Sequence, residues 1–358
     1  MSMFLALFKC LRKGKYFILI LLSVSILAWI ASFASDIVRE VPNTLLLWSK
    51  TDKPTKNVMH EQKPGLMEEL SSRKPHSDAS TPSLQKTCPL RSPFLLGSVR
   101  LSFEPSLTMN DVESANSKLI KGQFQPDDCK PRQNVAILIP HRNREMHLLY
   151  LLHHLHPFLQ RQQLHYGIYV IQQAGSSVFN RAKLLNVGFL EALKDYNWDC
   201  FVFHDVDLIP ENDHNLYACE RQPKHLVVGR NVTGYRLRYQ GYFGGVTAMS
   251  KEQFSYVNGF SNKYWGWGGE DDDLRIRVGI QKMKVVRPPA AVGRYTMIFH
   301  KRDSGNAVNR NRMRLLERTR KIWKNDGINS CLYKMLSVER TKAYINVTVD
   351  ISETNGQN

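Results

Sequence analysis

The chain has 358 residues, which is enough for one large domain or two small ones. Its 49 Lys and Arg against 32 Asp and Glu give a formal net charge of +17, which favours an anionic partner. None of its six cysteines has the close paired spacing of a zinc site, so the composition argues against a cysteine zinc centre.

The first 35 residues are not expected to belong to the soluble fold. Residues 16–35 carry no charge, and a helix of this length would span about 30 Å, the thickness of a bilayer core. Basic residues precede the run without any acid, which predicts a cytoplasmic tail (1–15), a transmembrane signal anchor (16–35) and a lumenal remainder. The alternative is a cleaved signal peptide, although its apolar region is usually only about 7–15 residues long. Both interpretations place the rest of the chain in the lumen.

Residues 36–87 are predicted to form a lumenal stem, because they are rich in Lys, Ser, Thr and Pro and cannot bury a core. A globular domain is predicted over residues 88–358. Glycosylation motifs at Asn231 and Asn346 agree with the lumenal side. Five cysteines follow the apolar run, and an oxidising lumen would allow two disulfides and one thiol whose pairing the sequence leaves open.

The positive charge is concentrated near the C-terminal end, where residues 301–324 contain nine Lys or Arg and two acids. A lumenal domain is not expected to bind nucleic acid. The charge instead favours the phosphates of a sugar nucleotide, or a sulfated or sialylated glycan. The alternative is a solvated helix face.

Strand and helix patterns alternate in the first half of the domain. Strands are predicted at 135–139 (ended by Pro140), 167–171 and 200–203, with helices over 147–160 and after an Asn180 cap. This alternation predicts an α/β fold with a parallel sheet covered on both faces. Ligands of such sheets bind at the carboxyl ends of the strands, where the segments 140–144, 179–181 and 205–207 are expected. No glycine-rich dinucleotide loop or phosphate-binding Walker loop occurs, which argues against those cofactors.

Two acidic clusters carry the candidate chemistry. Asp205 and Asp207 follow a predicted buried strand, where their hard oxygens would suit magnesium or manganese, and an added imidazole would favour manganese. Residues 270–273 are four consecutive acids, and the plainer interpretation is the acidic first turn of a helix. Such crowding also raises the pKa of at least one carboxylate, which suits a general base.

Basic and aromatic side chains accompany these clusters. Arg142, Arg144 and Arg181 have forked donors that match phosphate geometry, although surface charge is the alternative. Trp265 and Trp267 lie among glycines and are predicted to offer stacking faces to a sugar ring rather than to join the core. His300 closes a strand-like run that begins at residue 295.

Four motifs in this order resemble the β-1,4-galactosyltransferase family: FNRAKLLNVG (179–188), FHDVDLIP (203–210), YFGGV (242–246) and WGWGGEDDD (265–273). The resemblance covers about residues 88–351. It implies a Golgi-resident type II membrane protein with a GT-A fold, a Rossmann-like nucleotide-binding mixed sheet flanked by helices. It also implies manganese-dependent, inverting transfer of galactose from UDP-galactose to a terminal N-acetylglucosamine or glucose.

The resemblance also implies roles for individual residues. Asp271 is expected to be the catalytic base, and the manganese ligands are expected to be Asp207, Met297 and His300. The acceptor is expected to contact Gly269, Glu270, Asp271, Asp272, Arg312, Met313 and Leu316. The residues expected at the nucleotide and donor sugar are Pro140, His141, Arg142, Asn143, Arg144, Phe179, Asn180, Arg181, Asp205, Val206, Tyr242, Trp267, His300 and Asp303. The implied disulfides are Cys88–Cys129 and Cys200–Cys219.

Two positions depart from the best-known member of the family. His141 replaces a phenylalanine at the nucleotide site. Met313 replaces an aromatic residue in the acceptor pocket, where the lactose-synthase member also meets α-lactalbumin, so the resemblance does not extend to use of α-lactalbumin here.

Rival interpretations of the same residues remain open at this point. A metal-dependent phosphate-ester hydrolase would use the carboxylates with a second metal about 4 Å from the first. A catalytically silent lumenal protein would bind glycans through the tryptophans. Within the family, the donor could be a different UDP-sugar and the acceptor a glucose or xylose. The acceptor glycan itself, on glycoprotein, glycolipid or proteoglycan, plain or sulfated, is not identified by the sequence.

Overall fold

The computed structural model describes residues 86–300 and 304–352. The predicted tail, the predicted anchor and the stem up to residue 85 lie outside the described residues, as does Asp303. In the part of the chain that is described, no helix has both the length and the apolar character needed to cross a membrane.

The structure alternates strands and helices over most of its length. The helices are α1 (Met109–Ala115), α2 (Glu145–Arg161), α3 (Arg181–Asp195), α4 (Lys251–Tyr256), α5 (Glu270–Ile280) and α6 (Arg312–Ile322). The strands are β1 (Gln123–Phe124), β2 (Asn134–His141), β3 (His165–Gln173), β4 (Cys200–His204), β5 (Leu208–Pro210), β6 (Lys224–His225), β7 (Gly229–Arg230), β8 (Val246–Ser250), β9 (Arg294–Met297), β10 (Lys334–Arg340) and β11 (Ile345–Asp350).

The main sheet has the strand order β10-β11-β3-β2-β4-β8-β6, and β1 pairs with β3. The inner strands β11, β3, β2 and β4 are mutually parallel, whereas β8 is antiparallel to β4. The chain places β3 on one side of β2 and β4 on the other, so the strand order reverses at the carboxyl end of β2. Crevices of this kind are where open α/β sheets bind ligands.

Side chains of β2 alternate between two cores. Val135, Ile137 and Ile139 face the cluster that includes α2, while Ala136 and Leu138 face the cluster that includes α3, α4 and α5. Because both faces of the strand are covered, residues 135–140 are all apolar instead of alternating with polar residues.

The sequence predictions of the main elements are confirmed with longer bounds. The strand predicted to stop at Pro140 continues through Pro140 and His141, so that boundary prediction was wrong. A proline is tolerated there because β2 still pairs in register with β3, Pro140 opposite Ile171 and His141 opposite Gln172. The parallel sheet predicted from the alternation is present in β11, β3, β2 and β4. The mixed sheet that the resemblance implies is confirmed, since β8, β6 and β10 add antiparallel pairs.

A second sheet of three short strands, β5-β9-β7, lies beside the end of β4. Leu208 of β5 pairs with Met297 of β9, and the Ile298 amide donates to the Asp207 carbonyl at 2.8 Å. Through this pairing the residues after β4 meet the segment that ends at His300.

Both disulfides implied by the resemblance are present. Cys88 pairs with Cys129, and Cys200 pairs with Cys219. Among the described cysteines Cys331 is outside these pairs and is buried.

Candidate active site

A cleft of about 400 Å³ opens where the strand order reverses. Six arginines and five acidic residues line it within the described part of the chain, so its walls carry dense charge of both signs. The predicted site residues that line the cleft are Pro140, Arg142, Arg144, Phe179, Arg181, Asp205, Val206, Asp207, Tyr242, Trp267, Gly269, Glu270, Asp271, Asp272, Met297, His300, Arg312, Met313 and Leu316.

Arg181 connects the two acidic clusters. It follows the Asn180 cap of α3, its Nε donates to Asp205 Oδ1 at 2.6 Å, and its Nη1 lies 3.8 Å from Glu270 Oε1. Burial opposes its charge, but the carboxylates of Asp205 and Glu270 raise the pKa of Arg181 above its usual value. The guanidinium therefore stays charged inside the cleft and holds residues from both clusters near each other.

Arg142 lies beside Arg181 at the same end of the sheet. Its guanidinium donates to the Ser177 carbonyl at 2.6 Å and to the Gly305 carbonyl at 3.0 Å, and it lies 5.1 Å from the centre of the Phe179 ring. These bonds fix a forked donor over an aromatic ring, the kind of surface that accepts a phosphate next to a planar base.

Asp207 is the most buried carboxylate of the first cluster. Burial, and then the nearby charge of Asp205, raise the pKa of Asp207 to about 6. Its Oδ2 lies 3.5 Å from His300 Nδ1, and Met297 lies on the adjoining strand with its sulfur 3.6 Å from Arg230 Nη1. A carboxylate whose pKa is raised in this way has negative charge that a cation would stabilise.

The donors present fit a divalent cation. Two ligands of one such ion lie within about 4 Å of each other, as Asp207 Oδ2 and His300 Nδ1 do. Oxygen and imidazole suit manganese, whereas the thioether of Met297 is softer than that ion prefers. Residues 86–300 and 304–352 contain no group of three His, Cys, Asp or Glu arranged for a metal.

The second cluster begins α5. Gly269, at φ 98°, precedes the helix, and all four acids fall in its first turn, as the helix-start interpretation predicted. Three of them line the cleft, while Asp273 is buried away from it.

Two carboxylates of this turn, those of Glu270 and Asp271, have raised pKa values. Burial, and then the charge of Asp271, raise the pKa of Glu270 to about 7, and Glu270 Oε2 is buried without a hydrogen-bond partner among the described residues. Burial, and then the charge of Asp272, raise the pKa of Asp271. A half-buried carboxylate at a cleft wall with a raised pKa is suited to accept a proton.

Asp271 is held against the turn before β8. A Cβ atom built on Gly244 would lie 2.3 Å from Asp271 Oδ2, so only glycine permits this approach. The carboxylate of one cleft wall therefore lies directly against the backbone of the other.

The two tryptophans have different positions. Trp267 lines the cleft and is 39% exposed, and its backbone bonds to Ala307 and Asn309. Trp265 packs against the apolar core with Lys183 5.7 Å from its ring centre, so the expectation that it offers a face to a sugar was wrong.

Helix α6 brings Arg312, Met313 and Leu316 to the same cleft. Met313 is 61% exposed there. The predicted base and the predicted acceptor residues thus share one opening.

Some predicted residues do not line the cleft. His141 is buried with Nδ1 2.5 Å from Gln172 Oε1, and Asn143 is exposed in the turn after β2 with φ 53°. Asn180 is buried and caps α3, accepting from the Lys183 amide at 2.9 Å. Of the glycosylation motifs, Asn231 is exposed and Asn346 is half-buried in β11.

Several lining residues were missed by sequence reasoning, above all Arg230, Arg238 and Tyr239. Arg238 lies over the rings of Tyr242 and Trp267 at 5.5 and 6.0 Å, and Tyr239 Oη donates to Asp272 Oδ1 at 2.7 Å. Arg230 ends β7, whereas Arg238 and Tyr239 lie in a turn without periodicity. The only available signal was an excess of arginine and tyrosine just before the YFGGV motif.

Comparisons with known proteins agree with this geometry. A family profile described as the N-terminal region of glycosyl transferase group 7 matches residues 88–220, and one described as the N-terminal domain of galactosyltransferase matches residues 224–301. Beta-1,4-galactosyltransferase 4 of Homo sapiens is 64% identical over 275 residues, which cover 76% of this chain and 80% of that protein. Beta-1,4-galactosyltransferase 3 of Rattus norvegicus is 54% identical over 266 residues, which cover 74% and 67%.

A solved structure is similar as well. The catalytic domain of Drosophila beta1,4galactosyltransferase 7 in complex with xylobiose gives a TM-score of 0.53 at 30% identity, over 62% of this chain and 94% of that chain. A mutant of that enzyme in complex with manganese, UDP-Gal and xylobiose gives the same values.

Proposed function

The chain belongs to the β-1,4-galactosyltransferase family, and we propose that it transfers galactose from UDP-galactose to the 4-hydroxyl of a terminal N-acetylglucosamine, with manganese and with inversion. One observation carries the proposal. The two acidic clusters, far apart in sequence, line one cleft, and Arg181 contacts both of them. The cleft thus offers a cation-binding carboxylate and a proton acceptor together.

The donor side follows from the arginines and the first cluster. Arg142, Arg144 and Arg181 would bind the UDP phosphates, and Phe179 would pack beside the nucleotide. Manganese held by Asp207, Met297 and His300 would stabilise the diphosphate charge as UDP departs. The manganese and UDP-Gal complex of the solved Drosophila relative supports this donor and this ion.

Asp271 is the base in this proposal. The acceptor O4 attacks the anomeric carbon, the bond from that carbon to the UDP oxygen breaks, and the O4 proton moves to the Asp271 carboxylate. Attack from the face opposite UDP gives the β linkage. The raised pKa of Asp271 brings its basicity closer to neutral pH, which favours proton transfer in the transition state.

The remaining cleft residues would position the sugars. Tyr242 and Trp267 would contact the galactose, and Trp267 would help exclude water that could hydrolyse the donor. Glu270 and Asp272, with Arg312, Met313 and Leu316 of α6, would bind the acceptor.

We also propose that the chain is a single-pass type II Golgi membrane protein with its catalytic domain in the lumen. The uncharged run at 16–35 with basic residues before it supports this orientation. The two disulfides support an oxidising compartment.

A donor and acceptor panel tests the activity. The full-length chain is offered UDP-galactose, UDP-glucose and UDP-N-acetylgalactosamine with N-acetylglucosamine, with manganese or with a chelator, and the product linkage is read by NMR. We expect β-1,4 transfer of galactose only with the metal. Binding of N-acetylglucosamine without transfer from any donor would instead support a silent glycan-binding protein.

The acceptor arm of the panel compares N-acetylglucosamine, its sulfated form, glucose and xylobiose. Xylobiose is included because the Drosophila relative was solved with it. The proposal expects the highest kcat/KM on an N-acetylglucosamine acceptor, plain or sulfated. A preference for xylobiose would overturn this acceptor while leaving galactose transfer intact.

A further inference from the structure

The fourth acid of the second cluster, Asp273, has a different environment from its three neighbours. It is 1% exposed and does not line the cleft. Its Oδ1 accepts from Arg277 Nε at 2.5 Å, one helical turn further along α5. An ionised carboxylate this deeply buried needs such a partner, and the pair stiffens the turn that carries Asp271.

Arg277 extends the contact beyond α5. It is 0% exposed, and its Nη1 donates to the carbonyls of Gly259 at 3.2 Å and Asp326 at 2.7 Å. The Asp326 carboxylate in turn accepts from Ser261 Oγ at 2.6 Å. The start of α5 is therefore tied through one guanidinium to two loops of the protein interior.

The other oxygen of Asp273 faces α6. Thr319 Oγ1 donates to Asp273 Oδ2 at 2.5 Å, and Tyr264 Oη donates to the same oxygen at 3.2 Å. Thr319 is the one fully buried residue of α6, within a helix otherwise rich in arginine. The buried bond from Thr319 to Asp273 thus ties the helix that carries Arg312, Met313 and Leu316 to α5.

We propose that Asp273, Arg277 and Thr319 form a positioning network that sets the acceptor-binding face of α6 relative to the base Asp271. The predicted change in the acceptor KM rests on the proposed function. The arginines proposed to bind the donor do not lie on α6. Loss of the Thr319 bond should therefore loosen the acceptor pocket and leave the donor pocket in place.

The test replaces Thr319 in the full-length chain. Thr319→Val keeps the shape of the side chain and removes the hydroxyl, whereas Thr319→Ser keeps the hydroxyl. We expect Thr319→Val to raise the acceptor KM by about tenfold, since a hydrogen bond to a charged group contributes roughly that factor to an equilibrium. The donor KM should be unchanged, and Thr319→Ser should restore most of the acceptor KM. Glu317→Gln, at an exposed position on the same helix, is the matched control and should leave both constants unchanged.

Amide hydrogen exchange reports on the order of α6 and does not depend on enzyme activity. Amides of residues 312–322 should exchange faster in Thr319→Val than in the Ser variant or the wild type, with no such change over residues 181–195. Equal exchange in all three proteins would overturn the network. So would an equal rise of the donor and acceptor KM, which would indicate general destabilisation. A wild-type chain that transfers no sugar would refute the proposed function, and the exchange data would still decide the network.

Discussion

Replacement of Gly244 by alanine tests whether the backbone of the turn before β8 fixes Asp271. The added Cβ would lie 2.3 Å from Asp271 Oδ2 and 2.7 Å from Tyr242 Cε2, whereas ordinary contact begins at 3.4 Å. The carboxylate must therefore retreat by about 1 Å or the tyrosine ring must turn. A misplacement of about 1 Å in a catalytic constellation can lower the rate by about 10²-fold. We expect kcat/KM to fall by about that factor, which corresponds to about 2.7 kcal/mol.

The assay measures galactose transfer under initial-rate conditions together with the affinity for UDP-galactose. Gly241→Ala is the matched control, because its Cβ would meet nothing closer than Tyr239 at 3.9 Å. Neither glycine has a left-handed φ, so backbone strain does not distinguish the two variants. Thermal unfolding of both variants checks that the loss is local.

A Gly244→Ala enzyme with wild-type kcat/KM would refute the reasoning, because it would mean that Asp271 does not need the position that the structure gives it. A loss of the same size in Gly241→Ala would also contradict it, since that variant introduces no close contact.

Two further predictions concern proton transfer and stability. Burial and the charge of Asp272 raise the pKa of Asp271, and the base must be deprotonated, so kcat/KM should rise with pH through a value above the ordinary 3.8. Asp272→Asn should move this acid limb to lower pH in a pH–rate profile, and an unmoved limb would speak against Asp271 as the base. Replacing both Cys200 and Cys219 by serine should lower the free energy of unfolding by about 3 kcal/mol, because their disulfide closes a loop with a sequence separation of 19. Denaturant unfolding measures this change, and an unaltered midpoint would contradict it.

The helices and strands of the central sheet region could be predicted because their sequence patterns involve residues close together in the chain. Asn180 is a recognisable cap, and the leucines of α2 recur at helical spacing. The antiparallel strands β6 and β8 were not predicted, since β6 has only two residues and no periodic signal. The end of β2 was predicted too early because proline usually ends a strand. The sequence does not show that β2 keeps its pairing register with β3 through Pro140 and His141.

The candidate site was predictable where residues follow strand ends, as Asp205 and Asp207 do. Arg238 and Tyr239 were not predictable, because a turn without periodicity reaches the cleft only through the tertiary fold. The acids at 270–273 are alike in sequence, and only the helix geometry separates Asp273, buried against Arg277, from Asp271 at the cleft wall.

The most direct test of the account is the Asp271→Asn enzyme, assayed for transfer and for UDP-galactose binding in the presence of manganese. The substitution keeps the size of the side chain and removes its capacity to accept the proton. We predict that transfer falls by at least about 10²-fold, within the range for loss of a general base, while the Kd for UDP-galactose stays at the wild-type value. Transfer at the wild-type rate would contradict the assignment of Asp271 as the base.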